Sequence, residues 1–306
     1  MMSSEHAYYP RSVLHRRAPL GWPAGKALAL CLVVSLEYYE LRQDPAQFVP
    51  PNLPGLFGRA PYPDVGSYSR RAYGNRVGFF RLADSLDRFG CAATAALDSS
   101  TARRCPAVVR RCLDSGWEIA AHGFAVNRVV SSRTTQEQER RLIADSVDVL
   151  TRTCGTRPVG WHGAEYGESA DTPTLLAEAG FEYCLDWPND EQPVAMQTGA
   201  GPLMSVPMSA DLDDVNAHWH RRISMRRWAA SVLEAVERLA EDGRQSGRLL
   251  ALNLHPWLIG HPFRMSYVDE LLDAITRRDD VWIATAGQAA RWAAAAGDRS
   301  PAPARA

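Results

Sequence analysis

From residue 27 onward, short apolar runs alternate with longer amphipathic segments, the pattern of repeated strand–helix units around a parallel sheet. Runs at 27–35, 92–97, 118–121, 158–161, 183–185, 203–206, 249–254 and 281–285 predict eight strands. The helical period predicts helices at 77–89, 106–115, 135–153, 172–179, 225–242, 265–278 and 286–296. Thr134 and Thr135 can cap the third helix, and Gly90, Gly116, Gly155 and Gly180 stop four helices. This order suits one α/β barrel better than two domains. We therefore expect a single catalytic barrel over 1–296, with an N-terminal arm at 1–25. Residues 40–72 read as a Pro-rich, aromatic insertion without a clear period, suited to a lid or a subunit contact. The stretch 297–306 reads as a disordered tail.

In such a barrel the C-terminal strand ends meet at one mouth, so polar residues just past a strand are site candidates. Glu37, His122, His162, Asp186 and His255 all fall there. Each alone reads equally as a strand cap or a satisfied core group, but five converging on one mouth carry more weight. A carboxylate and histidines at one mouth suit hydrolysis, with Glu37 activating water and His255 protonating the leaving atom. Trp161, Trp187 and Trp257 read either as walls for a flat ligand or as core packing. His218-Trp219-His220 has the HxH spacing of a metal pair but reads as loop packing. The carboxylates Asp186 and Asp190 could bind substrate N–H groups or cap their own loop, and Asp211, Asp213 and Asp214 are weaker candidates of the same kind.

Composition narrows the partners. Lys+Arg 34 against Asp+Glu 35 leaves a formal net charge of −1 over 306 residues, which argues against nucleic acid or an anionic membrane. The longest apolar run, 27–36, is too short to span a bilayer. The first 17 residues lack the apolar stretch of a signal peptide, and the six cysteines contain no CxxC pair. Together these predict free thiols and a cytoplasmic location.

Several segments resemble the NodB-homology polysaccharide deacetylase superfamily, and within it the branch of metal-independent allantoinases. They are Val34-Ser35-Leu36-Glu37, Tyr73-Gly74-Asn75-Arg76-Val77-Gly78, Gly116-Trp117-Glu118-Ile119 before His122-Gly123, and Arg157-Pro158-Val159-Gly160-Trp161. Asp186-Trp187-Pro188-Asn189-Asp190, Leu254-His255-Pro256 and Gly260-His261-Pro262-Phe263-Arg264 continue the series. The resemblance implies a distorted (β/α)7-8 barrel with Glu37 as base, His255 as acid and His122 as a further catalytic residue. Arg157 falls on an arginine that holds a catalytic carboxylate, or equally on a loop ion pair. Trp161, Asp186, Asp190, His261 and Arg264 are further expected substrate-binding residues, as are His162 and Glu165, which depart from the small apolar stretch usual in relatives and would sit over the bound ligand.

Two of the family's three metal ligands are missing, because Tyr38 stands at the carboxylate position and Val126 at the second histidine. We therefore expect no metal and no other cofactor. The alternative is zinc held by replacement ligands drawn from Glu40, His162 and Glu165. The expected activity is hydrolysis of a non-peptide C–N bond in a cyclic amide, imide, ureide or small N-acyl compound. The rivals are a metal-dependent N-deacetylase of an acylated sugar or small molecule and a non-catalytic binding protein on a degenerate barrel. A small-molecule substrate and a homo-oligomer are the expected partners.

Overall fold

The structure is a computed structural model and describes residues 6–42, 48 and 63–297. The central strand β1 (Leu28–Leu36) is buried along all nine residues, as a parallel strand covered on both faces must be. It pairs in parallel with β8 (Arg248–Leu254) on one side. Its other side is shared between β2 (Thr94–Leu97) and β9 (Val281–Ala284). From β2 the sheet runs through β3 (Glu118–Ala121), β4 (Gly160–Trp161) and β5 (Tyr183–Cys184) to β7 (Gly201–Ser205), all parallel. A parallel bridge from Met208 to Ala251 joins the chain beyond β7 to β8, so the sheet curls round on itself. The fold is the expected α/β barrel in distorted form.

The eight anticipated strands are all present, and a ninth, β6 (Val194–Thr198), pairs antiparallel with β7. Its five residues mix polar and apolar side chains on a half-exposed edge, too short a pattern to show a period. Two helices also escape the sequence pattern. These are α1 (Val65–Tyr73), inside the supposed aperiodic insertion, and the six-residue α3 (Ser99–Arg104). Asp64 caps α1 by accepting the Ser67 N–H at 2.9 Å. The remainder of 40–72 falls largely, and the tail 298–306 wholly, outside the described residues.

After α1 the helix widens into a π turn at Gly74–Gly78 and resumes as α2 (Phe79–Arg88). The outer layer continues with α4 (Pro106–Asp114), α5 (Gln136–Cys154), α6 (Thr172–Glu178), α7 (Met225–Gly243), α8 (Pro262–Thr276) and α9 (Ala286–Gly297). Thr135 and Gln138 form a reciprocal capping box at the start of α5. Gly90, Gly116, Gly155 and Gly180 all adopt the left-handed backbone expected of helix stops. The N-terminal arm is docked on the barrel, where Arg17 pairs with Asp190 at 2.5 Å and Tyr8 Oη donates to the Ala170 carbonyl. All six cysteines are free thiols. No helix among the described residues is long and apolar enough to cross a membrane.

The π turn matters for the site because it lies against the loop that follows β8. A Cβ on Gly78 would sit 2.1 Å from the Pro256 carbonyl oxygen. Gly78→Ala must therefore separate two backbones, and we expect it to cost about 1–3 kcal/mol of stability, read as a lower denaturant midpoint at unchanged m.

Candidate active site

Glu37 follows β1, and its carboxylate is held from three directions inside the barrel. Arg71 Nε donates to Oε2 at 3.1 Å, Trp257 Nε1 donates to Oε2 at 3.0 Å, and His255 Nε2 lies 3.3 Å from Oε1. Asn75 Nδ2 fixes the backbone beneath by donating to the Glu37 carbonyl at 2.8 Å. Burial raises the carboxyl pKa, but the charges of His255 and Arg71 outweigh it and hold the group well below the usual range. Glu37 is therefore ionised across the neutral range.

His255, at the end of β8, has its other ring nitrogen 2.6 Å from Asp214 Oδ1, while its backbone N–H donates to Asp214 Oδ2 at 2.9 Å. Asp214 thus sets the ring's orientation. Burial disfavours the imidazolium, yet Asp214, Asp213 and Glu37 together push the His255 pKa well above its ordinary value. Asp213 is a buttress: it accepts the Val215 and Asn216 backbone N–H groups on Oδ1, and Asn253 Nδ2 and the Tyr166 hydroxyl on Oδ2.

Two further histidines enter the same space. The Nδ1 of His122 lies 2.6 Å from the His162 carbonyl oxygen, which only accepts, so Nδ1 carries the proton and Nε2 keeps its lone pair. That Nε2 is buried without a partner among the described residues. Burial and the adjacent His162 pull the His122 pKa to about 3, which makes it a neutral acceptor at physiological pH. His162 is oriented by Asp186, with Nδ1 to Oδ1 at 2.8 Å, and burial lowers its pKa to about 4.

Glu165 and Tyr166 both have left-handed backbones (φ 55 and 57), a strained arrangement for two consecutive residues other than glycine. This turn carries the Glu165 carboxyl to the cavity wall, where burial and the charge of Glu37 raise its pKa to about 7. The resulting cavity, of about 230 Å³, is lined by Glu37, His122, His162, Glu165, Asp213 and His255, among others.

Other sequence candidates lie elsewhere. Arg157 donates to the Ala179 carbonyl in a solvent-facing loop and meets no carboxylate of the cavity; it is Arg71 from α1 that holds the Glu37 carboxylate. Asp190 is engaged by Arg17 on the outer surface. Trp161 is core, packed edge-on against Phe181. Asp186 is set behind His162 and acts on the cavity through it. His261 and Arg264 line a neighbouring cavity instead.

The sequence pattern missed Arg71, because it lies on the helix inside the insertion, and ranked Asp214 low as one of several loop aspartates. A paired Asp213-Asp214 after a barrel strand was the available signal for the latter.

The positions where a metal-binding relative would carry ligands are occupied differently. Tyr38 stacks edge-on with Tyr68 and lies under the Arg104 guanidinium. Val126 is fully buried against Tyr39. Glu40 is paired with Arg128 at 2.5 Å. Within HxH, His220 lines the catalytic cavity while His218 lines its neighbour, so the two do not converge. Among the described residues one trio of possible ligands closes within 4.8 Å, Asp213, Asp214 and His255. Asp214 and His255 are already hydrogen-bonded to each other, and Asp213 is engaged by Asn253, Tyr166 and two backbone N–H groups.

Residues 73–184 match the family model for polysaccharide deacetylase. A peptidoglycan deacetylase-like protein of Gibberella zeae is 31% identical over 121 residues, which is 39% of this chain and 35% of that relative. The alignment thus spans about a third of that relative's length. A solved structure from Pseudomonas aeruginosa, described as a probable polysaccharide deacetylase, superposes with TM-score 0.81 at 25% identity, covering 93% of this chain and 97% of that one. PuuE allantoinase superposes with TM-score 0.84 at 23% identity, covering 95% and 99%. These likenesses place the curled sheet in the NodB-type barrel fold. The matched segment contributes Asn75, His122, His162 and Glu165 to the site, whereas Glu37, Asp214 and His255 come from strands and loops outside it.

Proposed function

We propose that the chain is a hydrolase of non-peptide C–N bonds, acting on a cyclic amide, imide, ureide or small N-acyl compound by general acid–base catalysis without a metal. The observation that carries this reading is the line Asp214–His255–Glu37, an oriented imidazolium facing an ionised carboxylate across 3.3 Å at the wall of one small cavity. Glu37 takes a proton from the attacking water, and the hydroxide adds to the substrate carbonyl carbon. His255 Nε2 gives its proton to the leaving nitrogen as the C–N bond breaks. The Glu37–His255 contact then lets the proton pass from carboxyl to imidazole, which restores both groups.

Near its pKa of about 7, protonated Glu165 donates to the developing oxyanion, and His122 Nε2 accepts a substrate N–H. A cavity of about 230 Å³ lies below the ~300–1,000 Å³ range of drug-sized sites, which favours a compact substrate.

Zinc does not suit the residues present: Tyr38 and Val126 leave two ligand positions without donors, and a catalytic zinc site needs three ligands and an open position. We expect turnover to survive exhaustive chelation, measured over a panel of allantoin, hydantoins, imides and N-acyl amines. Loss of turnover on chelation, restored by stoichiometric zinc, would show a metal-dependent deacetylase instead.

The reading extends to a single catalytic domain over 1–296 in a cytoplasmic homo-oligomer. Six unpaired thiols suit a reducing compartment, and the aromatic, Pro-rich 40–72 stretch is ill suited to full solvation. Sedimentation at micromolar concentration checks the association, and a monomer there would refute it.

A further inference from the structure

A second cavity, of about 430 Å³, is lined by residues of some of the same elements as the first, though the two have no lining residue in common. The π-helical segment Val215–His220 lies between them: Val215, Asn216 and His220 line the catalytic cavity, while His218 and Trp219 line the second. Successive arginines of α1 divide in the same way. Arg71 meets Glu37, and Arg70 lines the second cavity.

The charge of this second cavity is one-sided. The arginines Arg70, Arg222 and Arg264 line it together with His218 and His261, whose pKa values burial lowers toward the neutral ring, and no carboxylate lines it among the described residues. Burial, then the neighbouring Arg71 and Arg264, lowers the Arg70 pKa, so the guanidinium groups are crowded; the carboxylate that acts on Arg264 is Asp214, which is already bonded to His255. Helix α8 begins here with His261 as its N-cap and no side-chain cap on its first N–H groups, which turns the positive end of its dipole toward the same space.

One lining residue carries a buried donor with no hydrogen-bond partner among the described residues, Arg264 Nε, while His218 gives its Nδ1 proton to the Ile223 carbonyl at 2.7 Å. Unmet buried polar atoms are rare unless a ligand or water meets them. Arg70 is held ready, its guanidinium lying 4.3 Å above the Trp219 ring. Arg222 sits at the rim on a left-handed backbone (φ 53), strain of the kind that gathers at ligand sites.

We propose that this cavity binds a small anion through a carboxylate or phosphate group. Guanidinium forks from Arg70 and Arg264 match the paired oxygens of either group, and Arg222 closes over it. The proposal does not depend on the hydrolase reading, because it concerns a separate cavity with its own residues.

The test is isothermal titration of the full chain with inorganic phosphate and, separately, with succinate, at an ionic strength held constant with sodium chloride. We expect saturable binding of at least one of them at one site per chain, and the tighter binder identifies the preferred group. Arg70→Gln and Arg264→Gln should each weaken it about tenfold or more. Arg222→Gly should also weaken it, and glycine suits the left-handed backbone there, so this variant keeps the test open if the half-buried arginine variants fold poorly. Absence of saturable binding by either anion at millimolar concentration overturns the proposal. So does binding that is unchanged in all three variants.

Discussion

Glu37→Gln and His255→Ala should each lower kcat by about 10² or more on any substrate the enzyme turns over, with the fold retained. Glutamine keeps the shape of Glu37 and can still accept from Arg71 and Trp257, but it cannot take a proton from water. Alanine at 255 removes the imidazolium that Asp214 orients and charges. The two groups touch and act in one step, so the double variant should be scarcely slower than the worse single one. Near wild-type rates in both single variants would sink the assignment, and His122 with Glu165 would be the next pair to test. Rates are compared at matched pH on protein whose circular dichroism is unchanged.

Arg71→Met carries the second large effect, and it falls on stability as well as on rate. Both partners of the Arg71–Glu37 pair are almost fully buried, at 1% and 3% side-chain exposure, so removing the guanidinium leaves a carboxylate in low dielectric with less compensation. Breaking such a pair costs about 3–5 kcal/mol.

The pH dependence gives a sharper check. The folded-state pKa of Glu37 is depressed, so its contribution to stability is present above its unfolded value of about 4.3 and is lost as pH falls toward the folded value. Without Arg71 the folded pKa rises, and the stability gap between variant and wild type should narrow as pH drops below about 4. The acid limb of kcat/KM should move to higher pH in the variant, since Glu37 must be ionised to act as base. A gap that is constant with pH, or an unmoved acid limb, would mean that Arg71 serves packing alone.

Much of the barrel was readable before any coordinates. The run that becomes β1, apolar at every position but Ser35, allows little but a doubly covered strand, and four helix-stopping glycines adopt the left-handed backbone that makes glycine the usual residue there. Alternation of strand and helix periods then leaves few topologies, and the strand ends carry Glu37, His122, His162 and His255 to one mouth. These inferences succeed because periodicity and turn chemistry are local, written into neighbouring residues.

What the linear text could not supply is who meets whom across the barrel. Arg71 lies 34 residues from Glu37 on a short helix whose period is lost in a Pro-rich stretch, and only tertiary packing brings its guanidinium to that carboxylate. Asp214 is 41 residues from His255, and only its place beside Asp213 sets it apart in sequence from Asp211, which faces solvent beside Arg221. Arg157 and Asp190 sit at plausible positions, yet the fold turns them to the Ala179 carbonyl and to Arg17. The same holds for protonation states: Glu37 and Glu165 have the same side chain, but two cations lower the pKa of one while burial raises that of the other. A residue's type and local period determine its element and its face of the sheet. Its partner and its charge depend on distances of a few ångströms between segments far apart in the chain, and those exist only once the sheet has curled.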